Sequence, residues 1–245
     1  MKANLSAITT RNMALTAVFA SLYLLFYSWP LFPLIGSPGQ FIKAGNIIAP
    51  IIGIILGPWL GVFATTVGGV MGAFLWQAGP FGPISFLPHV AVVFFAGMLY
   101  KNRRWICRIT YLLSFLAFAL YPVVGPAWLA PSFLWLHVAS LGFLFTPFQS
   151  KPREFMMEEE NLSKLTLGVG TISLVASLFG HVIGSLMFEG VYWPSFISEI
   201  SAWKSSWALL VWIYPMERIL IAVFSALAGT GLVKALKVYG FKIGG

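Results

Sequence analysis

The residues able to do chemistry are few in this chain. Histidine occurs three times, at His89, His137 and His181, too widely spaced in sequence for a zinc motif. Cys107 is the only cysteine, which excludes an intrachain disulfide and a cysteine metal cluster. There is no aspartate, the commonest carboxylate in metal and phosphoryl chemistry. The acidic run of Glu154, Glu158, Glu159 and Glu160 reads as a solvated linker. The sequence contains no glycine-rich loop ending in Lys-Ser or Lys-Thr, so it offers no site for ATP hydrolysis. Catalysis needs a base close to a nucleophile or metal, and His181 with Glu217 is the one pair that approaches this requirement. We therefore assign no catalytic residue, no metal and no cofactor. What remains is a small set of polar groups lying within or beside apolar runs, where an ionisable side chain faces the interior or a water-filled site. That pattern fits binding of a solute better than its conversion.

The elements that must position these groups are membrane helices. Of the 245 residues, 59% are hydrophobic and 9% are charged, whereas a soluble domain is about 25% charged. Lipid is the solvent such a chain fits. Apolar runs able to form helices lie at 13–34, 46–57, 59–76, 85–100, 109–124, 131–148, 165–188 and 215–238, all within one transmembrane domain, 1–245. The fold class expected is all-α, a polytopic bundle of six to eight segments. Gly57-Pro58 divides the second apolar stretch into two short helices, because proline ends a helix at the residue before it. The pair 109–124 and 131–148 reads either as two spans or as a re-entrant hairpin, since Pro122, Pro126 and Pro131 crowd its middle.

Twelve of the 15 Lys and Arg residues fall into four groups: Lys2 and Arg11; Lys101, Arg103, Arg104 and Arg108; Lys151, Arg153 and Lys164; and Lys234, Lys237 and Lys242. An even number of segments separates every pair of groups. The positive-inside rule then places all four, and both termini, in the cytoplasm of a multi-pass cell-membrane protein. The same clustering excludes nucleic acid as the reason for the net charge of +8.

Three outer connections hold the candidate binding residues. The first is rich in Gly and Pro and carries Gln40, Lys43 and Asn46, where Lys43 either snorkels to lipid headgroups or attracts an anionic substrate group. The second, Trp76-Gln77-Ala78-Gly79-Pro80-Phe81-Gly82-Pro83, leads to His89 and suits an interface belt or a platform for a flat ring. The third runs from Glu189 through Trp193 to Trp212. His181 lies about two turns inward of Glu189 and shares a helical face with Gly184 and Ser185. Glu217-Arg218 lies deep if the last helix starts near Trp203. If it starts at Pro215, proline occupies the first turn without cost and Glu217 meets the positive helix end. We prefer the second placement. The first helix carries small residues, Ala14, Ala17, Ala20 and Ser21, that pack either inside the chain or against a partner.

Three stretches resemble the S components of energy-coupling factor (ECF) transporters. These are the small-residue first helix, Ala14 to Tyr23; the break Gly57-Pro58-Trp59-Leu60-Gly61; and Pro215-Met216-Glu217-Arg218. S components usually have six helices in a shorter chain, and 109–148 looks like an added hairpin. The resemblance implies capture of a vitamin or related micronutrient from outside, in a pocket closed by outer loops. It also implies docking of the first helix on a transmembrane coupling protein driven by two cytoplasmic ATPase subunits. The expected substrate-binding residues are Gln40, Lys43, Asn46, Trp76, Gln77, His89, His181, Glu189, Trp193, Glu217 and Arg218. The alternative is a stand-alone secondary transporter or channel for a small solute, although no convincing internal repeat supports it.

Overall fold

The computed structural model describes residues 10–33, 39, 41–76, 79–158 and 161–244, and the side chain of Phe32 is outside the description. Gln40 and Gln77 lie outside the described residues. The chain runs α1 (Thr10–Ser28), β1 (Pro30–Pro33), β2 (Phe41–Lys43), α2 (Gly45–Leu75), α3 (Leu87–Tyr100), α4 (Arg104–Ala119), α5 (Pro126–Leu129), a 3-10 turn (Pro131–Leu134), α6 (Trp135–Phe145), a second 3-10 turn (Pro147–Ser150), α7 (Lys151–Met157), α8 (Leu162–Tyr192) and α9 (Ile200–Val238). By length and composition, α2, α8 and α9 are apolar and long enough to cross a membrane. The turn at Pro147 bends the α6 and α7 pair by 84°.

α2 is two arms folded back on each other. Gly57 sits at φ 73°, ψ 178°, outside helical space. A Cβ on Gly61 would lie 3.4 Å from the Ile52 carbonyl oxygen, whereas a straight helix holds residues nine apart at about 13.5 Å. Glycine is required at the reversal, because that backbone conformation is essentially closed to residues with a Cβ. Pro58 follows and starts the second arm without needing its missing N–H.

One end of the bundle collects the basic groups. Arg11 Nη2 donates to the Tyr239 carbonyl at 2.8 Å, and its guanidinium lies 3.4 Å from the Phe241 ring centroid. Gly244 N donates to Ile55 O at 2.8 Å beside the Gly57 reversal, and Lys237 Nζ donates to Met156 O at 2.9 Å. A Cβ on Gly57 would also lie 3.3 Å from Lys101 Cε, so both ends of the described chain, the α2 reversal, the α3–α4 turn and α7 lie together. In the acidic run, Glu154 pairs with Lys151 at 2.7 Å and Glu158 pairs with Lys164.

Several sequence expectations are corrected. The helix expected at 13–34 stops at Ser28. Pro30 and Pro33 favour extended backbone, and residues 30–33 pair antiparallel with 41–43. The helices expected at 109–124 and 131–148 are shifted or divided. α4 starts at Arg104 and ends at Ala119, and the second half is a 3-10 turn followed by α6. The largest change is in α9. It begins at Ile200 and runs 39 residues with Pro215 inside it, so Pro215 is not in a first turn and Glu217 does not meet a helix N-terminus. Proline removes the donor that Val211 O would have used. The Trp135 indole N–H reaches that carbonyl instead, at 3.4 Å, which keeps the helix satisfied through the break.

Replacing Gly57 by Ala should destabilise the protein by about 1–3 kcal/mol, because the new Cβ also meets the Gly244 backbone. Gly231→Ala, with no atom within 4 Å of the new Cβ, should leave stability unchanged or higher. Apparent unfolding midpoints in detergent check both.

Candidate functional site

A cavity of about 200 Å3 lies at the end of the bundle away from the basic groups. Six regions wall it, and local periodicity explains which side chains face in. On α8, His181, Gly184, Ser185 and Phe188 recur at i, i+3, i+4 and i+7, one face of a helix. On α9, Trp207, Leu210 and Arg218 lie on another such face, with Ser206 at its edge. The start of α3 supplies Pro88, His89 and Val92. The β2 strand supplies Phe41, Ile42 and Lys43, followed by Asn46 in the first turn of α2. The α2–α3 connection supplies Phe81 and Ser85, and Tyr27 closes the wall from α1. Tyr192 Oη donates to Pro80 O at 2.8 Å, tying the end of α8 to that connection.

Three of the polar wall residues, His89, Asn46 and Lys43, are held by neighbouring groups. His89 is buried, and its Nδ1 shares a 2.6 Å hydrogen bond with the hydroxyl of buried Tyr23. That leaves Nε2 as the ring nitrogen available to the cavity. Asn46 Nδ2 donates to the Lys43 carbonyl at 3.0 Å. The Lys43 ammonium lies 4.6 Å from the Tyr27 ring centroid, a cation–π contact. Partial burial lowers its pKa from the ordinary lysine value.

His181 belongs to a stack of rings. Its Nδ1 is 3.2 Å from His137 Nε2, and His137 Nδ1 is 3.3 Å from Tyr111 Oη. Tyr214 stacks on both imidazoles, with centroids 5.1 and 4.8 Å away, and donates its hydroxyl to Phe133 O at 2.8 Å. Two of the three widely separated histidines are thus neighbours in space. Among the described residues no group of three His, Cys, Asp or Glu side chains is placed to hold a metal.

Arg218 is 6% exposed and is the most deeply placed charge in the cavity wall. Its Nη2 lies 3.5 Å from Glu217 Oε2, a long ion pair. Its Nε is buried with no hydrogen-bond partner among the described residues.

Of the expected binding residues, the structure gathers Lys43, Asn46, His89, His181 and Arg218 around this cavity. Four others lie outside its wall. Trp76 caps the end of α2 and is partly exposed. Glu189 is one position past Phe188, which turns it off the cavity face of α8. It is fully buried there, with no hydrogen bond to its carboxylate oxygens among the described residues. Trp193 packs edge-on against Trp203. Glu217 is about 100° around α9 from Arg218 and reaches the site only through their ion pair. The sequence reading passed over Tyr27, Phe188 and Trp207. Phe188 was reachable by extending the His181, Gly184 and Ser185 face by one turn, whereas nothing in the local pattern separates Tyr27 or Trp207 from interface-belt aromatics. The small residues Ala14, Ala17 and Ser21 are exposed on α1, while Ala20 is half-buried near Gly68.

A family model described as the substrate-specific component of ECF transporters matches residues 11–232. No match was found among curated proteins or among solved structures.

Tyr23→Phe should cost about 1–3 kcal/mol, because it strips the partner from a buried imidazole nitrogen. The same change should also weaken ligand capture by freeing the His89 ring. Unfolding midpoints with and without bound ligand separate the two effects.

Proposed function

The chain belongs to the family of substrate-specific components of ECF transporters, and from that premise we propose that it is the high-affinity binding subunit of an ATP-driven importer. It captures a vitamin or related micronutrient at the outer face of the cell membrane. Members of this family bind small substrates and work with membrane coupling and ATPase subunits. The observation that carries the reading is the position of the cavity. It lies at the end opposite the basic clusters, which the positive-inside rule assigns to the cytoplasm. It therefore opens outward, with both termini inside. A wall of aromatic rings interrupted by a few convergent polar groups is the usual build of a small-molecule site.

The exposed stripe of Ala14, Ala17 and Ser21 on α1 supports the second half of the reading. In lipid, helices associate by close packing rather than by hydrophobicity, and small residues permit that approach. These residues face away from their own bundle, so a coupling protein is the partner they suit. Two cytoplasmic ATPases then supply the energy, since the chain carries no phosphate-binding loop of its own. The protein acts as a binding subunit rather than an enzyme.

Ala17→Trp should leave ligand binding intact. It should also abolish co-purification of the coupling protein and reduce uptake in cells expressing the complete set of subunits to background. Solute movement by the chain alone in liposomes, driven by a pH gradient, would overturn this reading in favour of a secondary transporter.

A further inference from the structure

The charges around the cavity do not balance. Among the described residues two cations, Lys43 and Arg218, line it, and none of the wall residues is a carboxylate. Glu217 offsets part of the Arg218 charge from outside the wall, through one contact of 3.5 Å. A guanidinium presents five N–H donors in a planar fork suited to a carboxylate or phosphate. Here one donor, Nε, is fully buried without a partner among the described residues. Burying an ionised group without compensation is costly, and such groups persist where something pairs with them. Lys43 contributes a second positive charge at the same cavity, over the Tyr27 ring. Phe188, Phe81 and Trp207 supply aromatic wall beside these cations.

We propose that the cavity takes a small, ring-bearing anion, whose carboxylate or phosphate is paired by Arg218 with Lys43 completing the charge. The aromatic wall holds the ring, and His89 Nε2 offers a further polar contact. This inference rests on the binding-subunit reading and adds the sign of the ligand's charge. The anion is a soluble solute rather than a phospholipid headgroup, because side chains from six segments of the protein line the cavity, whose volume is about 200 Å3.

The full-length protein is purified in detergent, and the small molecules it holds are extracted and identified by mass spectrometry in both ion modes. The identified compound is then rebound to the variants. A soluble molecule with a carboxylate or phosphate is expected. Arg218→Gln should weaken its binding on the order of 30-fold or more, and Lys43→Gln by roughly three- to fivefold. Glu217→Gln removes the internal competitor for Arg218 and should raise affinity, an effect that general destabilisation does not produce, and an unchanged or lower affinity counts against the charge inference. Should Arg218→Gln not fold, the opposite signs at Lys43 and Glu217 still decide the matter. A bound molecule without an anionic group overturns the charge inference and leaves the binding-subunit reading standing. A phospholipid as the bound anion overturns the soluble-substrate form. A protein that is empty and supports no uptake with its partner subunits overturns both.

Discussion

The structure depends on one constraint: in hydrocarbon, each break in a helix leaves backbone groups that only the protein can satisfy. This chain breaks its helices often, with 15 prolines and 24 glycines. Side chains from elsewhere in the sequence repair the breaks. Trp135 reaches Val211 O beside Pro215, Trp207 reaches Val124 O at 2.8 Å, and Tyr214 reaches Phe133 O in the 3-10 turn. Arg108 Nε donates to Leu144 O at the end of α6. Each such bond is worth about 1 kcal/mol net, but leaving its acceptor bare would cost more. These contacts therefore fix how the elements meet.

The cavity follows from the same contacts. Trp207, Tyr214 and Arg218 lie on neighbouring turns of α9. The first two are anchored to the connection between α4 and α6, so that side of α9 is held in register against α8. Arg218 is then fixed in the wall rather than free to seek water. Its energetic position is uncomfortable by itself and improves with a partner of opposite charge. The hydrogen bond of His89 with Tyr23, and the ring stack on His181, remove rotational freedom from these two wall residues. A site fixed before its ligand arrives loses less entropy on binding.

The two ends of the molecule divide the work by charge. The basic end gathers α1, the α2 reversal and the end of α9 through Arg11, Gly57 and Gly244. The opposite end carries the short β1–β2 ribbon and the described part of the α2–α3 connection, both of which contribute to the cavity wall. The exposed small-residue face of α1 runs between the two ends.

Much was determined by the sequence alone. Apolar composition with clustered basic residues is enough to specify a membrane bundle and to separate its two ends, because lipid and the positive-inside preference act on composition rather than on contacts. The Gly57-Pro58 reversal was also legible, since one backbone conformation there excludes other residues. The start of α9 was not, because Pro215 is compatible both with a first turn and with an interior position rescued by a distant indole. Likewise the periodicity of α8 could orient His181, Ser185 and Phe188 together, but not choose which neighbour they face. Only the tertiary structure put His137 beside His181, moved Glu189 and Trp193 off the cavity, and turned Arg218 into it. Those outcomes depend on rotation of one helix against another, which is decided by packing between residues far apart in the chain and leaves no local trace.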